Sequence, residues 1–404
     1  MKLLHTSDWH IGRRIENITL LTEFELFIHW LTKIIEQEQI DALIVAGDIF
    51  DTGMPSIAAQ EQYYKSIAQL ANTRLKKIII INGNHDSANF LLAPKIILKT
   101  LKTFISASLP QNLNDIILPL PDENTPEIII AAVPYLRDID IINYFKNKAE
   151  QIDTQHNIAA FYQQLVPLVQ KFKNQGLPLI ATGHLFVSDS TNDTNEENDY
   201  TLGGLIDIHS DQLPEIFDYY ALGHIHRPWS QKNKKVYYCG SPFPMSLNDV
   251  KNKVPKGVNI IDSQNITNIK RINTPLWRHI EIFEGPFDEI QQKIKQFQNK
   301  GILSPAYGYV RVTDYPDNIP VEKLHDHLSS LNTDNLHIIK AIFPPKYSIS
   351  QTNKLQLSTL KEYSPRQILE YHLDNKGYSQ ETKKQILETF DQLLTLYRQN
   401  LANN

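Results

Sequence analysis

Five short apolar runs in this chain of 404 residues each end on side chains that can bind a cation or carry a proton. The run from Lys2 ends on Asp8 and His10, and Leu43 to Gly47 ends on Asp48. Ile78 to Gly83 is followed by Asn84, His85 and Asp86, and Leu179 to Gly183 by His184. Tyr219 to Gly223 delivers His224 and His226. Oxygen donors suit hard divalent ions and imidazole suits Mn, Fe, Zn or Ni. Asp8, His10, Asp48, Asn84, His184, His224 and His226 are too many ligands for one catalytic ion and about right for two sharing a carboxylate. Two-ion sites hold their metals about 3.5–4 Å apart and clamp both the attacking and leaving oxygens of a phosphate ester. Asp48 is the natural bridge, as the carboxylate of the central block. A Gly-Asp pair after a strand also marks an ordinary turn, and one histidine at a strand end is usually a hydrogen-bonded loop residue. It is the recurrence that points to a site.

The elements that must position these groups follow from the apolar pattern. A β-branched run stopping at Gly47-Asp48 reads as a buried parallel strand, and ligands of open α/β sheets bind where the loops at the carboxyl ends converge. Leu20 to Gln37 has Leu21, Phe24, Ile28, Leu31 and Ile35 at helical spacing. A strand over Asp41–Val45, a helix over Ser56–Ala71 and a strand over Lys77–Ile81 complete a βαβ rhythm. Leu98 to Val133, broken by Pro110, Pro119, Pro121 and Pro126, suits a second, mixed sheet. Ile158 to Asn174 reads as helix, Ser188 to Tyr200 as a polar acidic loop, and Val236–Cys239 and Val258–Ile261 as late strands. Thr274-Pro275 marks a boundary, after which strand and helix alternate in a small α/β unit without a ligand-type cluster. Beyond a linker from Lys346 to Tyr363, Ser364-Pro365-Arg366-Gln367 forms a capping box with proline at the first helical position. A second tail helix carries Ile386, Leu387, Phe390, Leu393, Leu394 and Tyr397, an apolar stripe that something must cover.

Composition excludes several classes. Hydrophobic residues at 41% and charged residues at 21% describe a globular protein with a sizeable core. The longest apolar runs are strand-length, so no membrane span is expected. Asp8 and His10 fall where a signal peptide needs its apolar core, so a cytoplasmic location is expected. The single cysteine, Cys239, excludes an internal disulfide framework and reads as a small buried residue. A net charge of −5 with a pI near 6.3 is not the profile of a nucleic-acid binder. Local basic groups exist at Arg13-Arg14, at Arg227 with Lys232, Lys234 and Lys235, and at Lys251, Lys253 and Lys256, each equally readable as a solvated turn.

The ordered set Asp-x-His, Gly-Asp, Gly-Asn-His-Asp, Gly-His and Gly-His-x-His resembles the calcineurin-like metallophosphoesterase superfamily. Thr6 to Gly12, Ala46 to Gly53, Gly83 to Ser87, Ala221 to Arg227 and Tyr238 to Pro242 narrow the resemblance to the bacterial SbcD family of nuclease subunits. That resemblance implies an α/β fold: a metallophosphoesterase two-sheet sandwich flanked by helices over 1–273, a small α/β capping domain over 274–345, and a linker and helix pair over 346–404 that binds an SbcC-type ATPase. It implies two divalent ions, Mn2+ or else Mg2+. Asp8, His10, Asp48 and His226 would hold one, and Asp48, Asn84, His184 and His224 the other. His85 would stabilise or protonate the leaving oxygen, with Asp86 orienting its ring. Asp51, where relatives outside bacteria usually carry histidine, receives no catalytic role. His5, His29 and His209 match no motif. The implied activity is exonuclease and endonuclease hydrolysis of phosphodiester bonds at DNA ends and hairpins, in DNA replication, repair and recombination, by a homodimer within a heterotetramer. The chain has no Gly-x-x-x-x-Gly-Lys-Ser/Thr phosphate loop, so ATP dependence would be the partner's. The alternatives are a phosphatase or cyclic-nucleotide phosphodiesterase of the same superfamily and a non-catalytic scaffold, the latter opposed by the filled ligand positions.

Overall fold

Alternation along the strands decides how the layers stack. In a strand successive side chains point to opposite faces. Leu4, Leu43, Val45, Ile78 and Ile80 pack against helices, while Leu3, Ile44, Ala46, Ile79 and Ile81 pack inward against a second sheet. Strands buried on both faces have no polar side, which is why these runs read as continuously apolar. The computed structural model describes residues 1–146, 157–188, 207–316 and 320–344, and in the tail 366, 369–370, 373, 382–391 and 393.

Two six-stranded sheets form the sandwich. The first runs in the order Asn265–Asn273, Gly257–Asp262, Lys2–Thr6, Ala42–Ala46, Lys77–Ile81, Thr103–Ser106, its last four strands parallel. The second runs Trp229–Gln231, Val236–Tyr238, Tyr219–Gly223, Leu179–His184, Ile128–Ala131, Ile117–Leu120. Its inner strands are parallel as well, so the donor-bearing ends of both sheets meet along one edge. Helices Leu21–Gln37 and Ile57–Ala71 cover the outer face of the first sheet, the latter capped by the Ser56 side chain on the Ala59 amide. Helix Asn157–Lys173 covers the outer face of the second.

The helix and strand spans match the expected ones to within a residue or two up to Ile81. Two differences follow. Thr103–Ser106 does not join the second sheet but extends the first, pairing in parallel with Lys77–Ile81. Only Ile117–Leu120 and Ile128–Ala131 enter the mixed sheet. The Asn265–Asn273 strand is not expected from sequence, because as an edge strand facing water it carries Asn, Thr, Lys and Arg. The expected acidic loop beyond Ser188, the linker from Lys346 and the cap at Ser364 lie outside the described residues.

Residues Met1–Pro344 form one compact unit and Pro345–Asn404 another. Within the first, parallel strands Ile280–Pro286, Ala306–Asp314 and Leu336–Ile342 enclose a separate apolar cluster with helices Phe287–Lys295 and Val321–Ser330. Trp277 joins this smaller sheet to the sandwich, its ring centroid 6.2 Å from those of both Phe27 and Phe243. Beside it Arg278 Nε donates to Glu23 Oε1 at 2.8 Å, an ion pair that is nearly excluded from water.

Candidate metal centre

The five strand ends bring the seven expected ligands into one cluster. The loops after Lys2–Thr6 and Ala42–Ala46 run side by side, held by Asp8 N–H to Gly47 O at 3.0 Å and His10 N–H to Asp48 O at 2.9 Å. Trp9, between the two donors, turns the other way and packs on Phe24 and Phe27. Four donors adopt positive φ: Asp8 at 52°, His10 at 42°, Asp48 at 49° and His224 at 101°. For residues other than glycine this region is uncommon and costs about 1–3 kcal/mol each, held only where the surroundings dictate it.

Asp48 lies at the centre. Its Oδ2 is 3.4 Å from His10 Nε2 and 3.3 Å from His184 Nε2, so one carboxylate oxygen faces an imidazole from each sheet. His10 Nε2 is 3.0 Å from His226 Nε2, and His184 Nε2 is 3.0 Å from Asn84 Oδ1. The His224 ring stands 5.3 Å from that of His184, centroid to centroid, and its backbone amide donates to Asp8 Oδ1 at 2.9 Å. Ser7 Oγ donates to the other oxygen of Asp8. Asp8, His10, Asp48 and His184 are buried, His224 and His226 half-buried, and Asn84 exposed.

Contacts at the far ring nitrogens orient two of the imidazoles. His184 Nδ1 lies 3.0 Å from the Ala46 carbonyl, so Nδ1 carries a proton and Nε2 faces Asp48. His10 Nδ1 lies 3.4 Å from Asp51 Oδ1, and Asp51 is in turn paired with Arg13 Nη1 at 3.0 Å. The carboxylate of Asp51 thus backs a site histidine, a role that its place in the sequence does not disclose. Arg13, expected as part of a basic cluster, is committed to this contact and to the Met245 carbonyl.

One role changes. Asp86 does not orient the His85 ring. Its carboxylate accepts the backbone N–H groups of Gly83, Ile49 and Phe50 at 2.8–3.0 Å, stapling the two central loops together. The ring of His85 is held instead through Nδ1 by the Asp51 carbonyl at 2.9 Å, and its amide donates to Asp48 Oδ1 at 3.0 Å. Three amide donors suit a carboxylate better than one imidazole, and two of them come from the loop after Asp48. Lys256, also expected among the surface cations, is buried. His5, which matches no motif, is structural: buried, with Nδ1 on the Tyr219 hydroxyl and its pKa lowered by burial to about 3.

The electrostatics are those of a cation site. Burial would raise Asp48, but the charges of His184 and His10 hold it far below the usual carboxylate range. Burial would lower His184, yet Asp48 outweighs it and raises the imidazole to about 9. His224 is pushed down to about 4 and His226 well below its ordinary value, first by burial and then by the neighbouring imidazoles. The raised pKa values of His10 and His184, held up by Asp48, favour protonated imidazoles beside that carboxylate. Divalent cations bind such a set by displacing those protons. The donors Asp8, His10 and His226, and Asp8, Asp48 and His184, each converge within 4.8 Å. The residues fit a divalent metal site.

Two stacked sheets with such a centre on their shared edge define a metal-dependent phosphoesterase. The model of the calcineurin-like phosphoesterase family matches residues 1–228. The SbcD subunit of the SbcCD nuclease from Escherichia coli strain K12 is 32% identical over 323 residues, 78% of each chain. Its counterpart in Rhodobacter capsulatus is 34% identical over 272 residues, covering 65% of this chain and 66% of its own. That of Staphylococcus epidermidis is 30% identical over 305 residues, 74% of this chain and 76% of its own. The chain belongs to the calcineurin-like phosphoesterase family, in the branch of the SbcD nuclease subunits. Among the described residues no helix is long and apolar enough to cross a membrane.

Proposed function

We propose that this chain is the nuclease subunit of an SbcC–SbcD type complex and hydrolyses phosphodiester bonds at DNA ends and hairpins in DNA repair and recombination. The observation that carries the reading is the Asp48 carboxylate, set between an imidazole of each sheet. Asp8, His10, Asp48 and His226 would hold one ion, and Asp48, Asn84, His184 and His224 the other, with Mn2+ the best match to mixed imidazole and oxygen donors. When bound, the two ions supply positive charge to the phosphate oxygens and acidify a water near neutral pH.

The chain's own residues supply orientation and a proton. The Ala46 carbonyl keeps His184 Nε2 turned inward, and Asp51 does the same for His10. His85 is exposed, with Nδ1–H committed to the Asp51 carbonyl, so in its doubly protonated form Nε2–H is the group placed to give a proton to the leaving oxygen, leaving the neutral Nδ1–H ring. Asp86 keeps the loops of Asp48 and His85 in register.

Partner surfaces are part of the proposal. Met54, Ile57, Ile96 and Ile97 are large apolar side chains between 68% and 91% exposed. Met54 and Ile57 lie at the start of helix Ile57–Ala71, and Ile96 and Ile97 in helix Lys95–Thr100. A second copy of the chain covers them in a homodimer, and the tail helices dock an SbcC-type ATPase.

The test is cleavage of short single-stranded DNA in Mn2+, alongside a panel of p-nitrophenyl phosphate esters. DNA should be cut far faster than the esters, and Asp48→Ala should abolish cutting while the circular dichroism spectrum stays native. Preferential turnover of the esters would mark a phosphatase or small-molecule phosphodiesterase. Cutting by Asp48→Ala at the wild-type rate would sink the shared-ligand assignment.

A further inference from the structure

Lys256 is a buried lysine that nothing in the chemistry above uses. Its Nζ donates to three oxygens: the His226 carbonyl at 2.8 Å, Ser241 Oγ at 2.8 Å and Asp249 Oδ2 at 2.9 Å. A primary ammonium has three donors, so every one is satisfied. Lys256, Ser241 and Asp249 are 7%, 0% and 4% exposed, and so the group is sealed from water.

Two of the acceptors hold the segment carrying His226, and the third leads to Arg13. The His226 carbonyl also accepts from the Ser241 amide at 3.1 Å and from Ser241 Oγ at 3.3 Å. Gly240, at φ 76°, lets the chain pass so close that a Cβ there would meet the His226 oxygen at 2.8 Å. Asp249 Oδ2 takes the Met245 amide at 2.9 Å as well, and the Met245 carbonyl receives Arg13 Nε at 3.1 Å.

The position of Lys256 in the fold gives this network its meaning. It immediately precedes strand Gly257–Asp262, which pairs antiparallel with Lys2–Thr6 and belongs to the first sheet. Lys2–Thr6 leads to Asp8 and His10. His226 follows Tyr219–Gly223, a strand of the second sheet. Asp8, His10 and His226 therefore reach one cluster from two different sheets. A tie is needed between them, because donor atoms of a metal site must be held to a few tenths of an ångström.

We propose that Lys256, with Asp249 and Ser241, is a positioning group that fixes the backbone of His226 relative to the Asp8–His10 loop and so sets the affinity of one of the two metal positions. This rests on the reading of His226 as a metal donor. A buried ion pair of this kind contributes little net stability compared with neutral packing, which is consistent with a role in geometry.

The experiment uses the full chain and Mn2+ as the probe. Lys256→Met combined with Asp249→Asn removes both charges together and leaves an acceptor for the Met245 amide. In the absence of metal its thermal midpoint should stay close to wild type. Calorimetric titration should show one ion bound as in wild type and the other weakened about 10–100-fold, the usual effect of losing support behind a ligand. Electron paramagnetic resonance at two equivalents of Mn2+ should lose the spin-coupled pair signal and show isolated ions. Ser241→Ala, a milder change that serves if the double variant does not fold, should weaken the same ion about 2–10-fold, as for one hydrogen bond. Wild-type affinity for both ions in either folded variant, while His226→Ala loses one, overturns the tie and leaves the ligand assignment standing. Two ions bound by His226→Ala overturn that assignment, and the tie with it.

Discussion

At the scale of single residues, the candidate donors are recognisable by type but their posture is not. Asp8, His10, Asp48 and His224 sit at positive φ, and a sequence shows this only where the residue is glycine. The candidates are legible because imidazole and carboxylate groups recur just past apolar runs. Their support is not, since the Asp51 carboxylate and the Asp86 staple depend on which loops come side by side. Two outcomes follow at this scale. His85→Ala removes a ring that is not among the proposed donors, so metal analysis should still find two ions per chain while the cleavage rate falls by ~10²–10⁴, the usual contribution of a general acid. Loss of one ion would make His85 a ligand. Asp51→Ala keeps the carbonyl that holds His85 but frees His10 Nδ1, and should weaken Mn2+ binding by about 10–100-fold. Unchanged affinity by titration would mean that the 3.4 Å approach to His10 has no orienting value.

At the scale of elements, the sandwich is legible wherever one segment determines its own partners. The strand Lys77–Ile81 matches its expected span, as β-branched runs bounded by turns do. Thr103–Ser106 falls in the sheet opposite to the expected one because its four residues carry no mark of which neighbour they will pair with; register against Ile78–Ile81 decides it. The meeting of the two sheets is equally hidden, and it depends on a glycine. A Cβ on Gly223 would lie 1.8 Å from the Ala46 carbonyl oxygen and 2.9 Å from His184 Nδ1. That carbonyl is the acceptor that orients His184. Gly223→Ala should therefore force the strand ends apart, lowering stability by about 1–3 kcal/mol as in other overpacked cores. It should also weaken metal binding, unlike Ala substitution of an exposed glycine such as Gly176, which has open space around it. A urea midpoint and Mn2+ affinity both equal to wild type would show that the sheets do not need this close approach.

At the scale of the whole molecule, the candidate metal centre lies in the first unit, and none of its donors is among the described residues of the tail. The described tail residues include a helical stretch over 382–391, and Arg366 Nε reaches both carboxylate oxygens of Asp391 at 3.0 Å. Leu369, Ile386, Phe390 and Leu393, with Gln385 and Thr389, line an apolar groove of about 400 Å³. Leu393 is 59% exposed. The stripe anticipated from sequence reappears in Ile386, Phe390 and Leu393, while Leu394 and Tyr397 lie outside the described residues. Each large apolar side chain left in water forgoes ~1.5–3 kcal/mol of burial, so a groove of this character gains by docking a partner helix. Met1–Pro344 is compact without the tail. A chain ending at Tyr363 should accordingly keep its thermal midpoint and its Mn2+-dependent cutting of short single-stranded DNA. It should fail to co-purify with an SbcC-type ATPase and lose ATP-dependent cutting of duplex ends. Unfolding of the shortened chain would mean that the tail completes the core, and undiminished co-purification would place the partner's contact on the first unit.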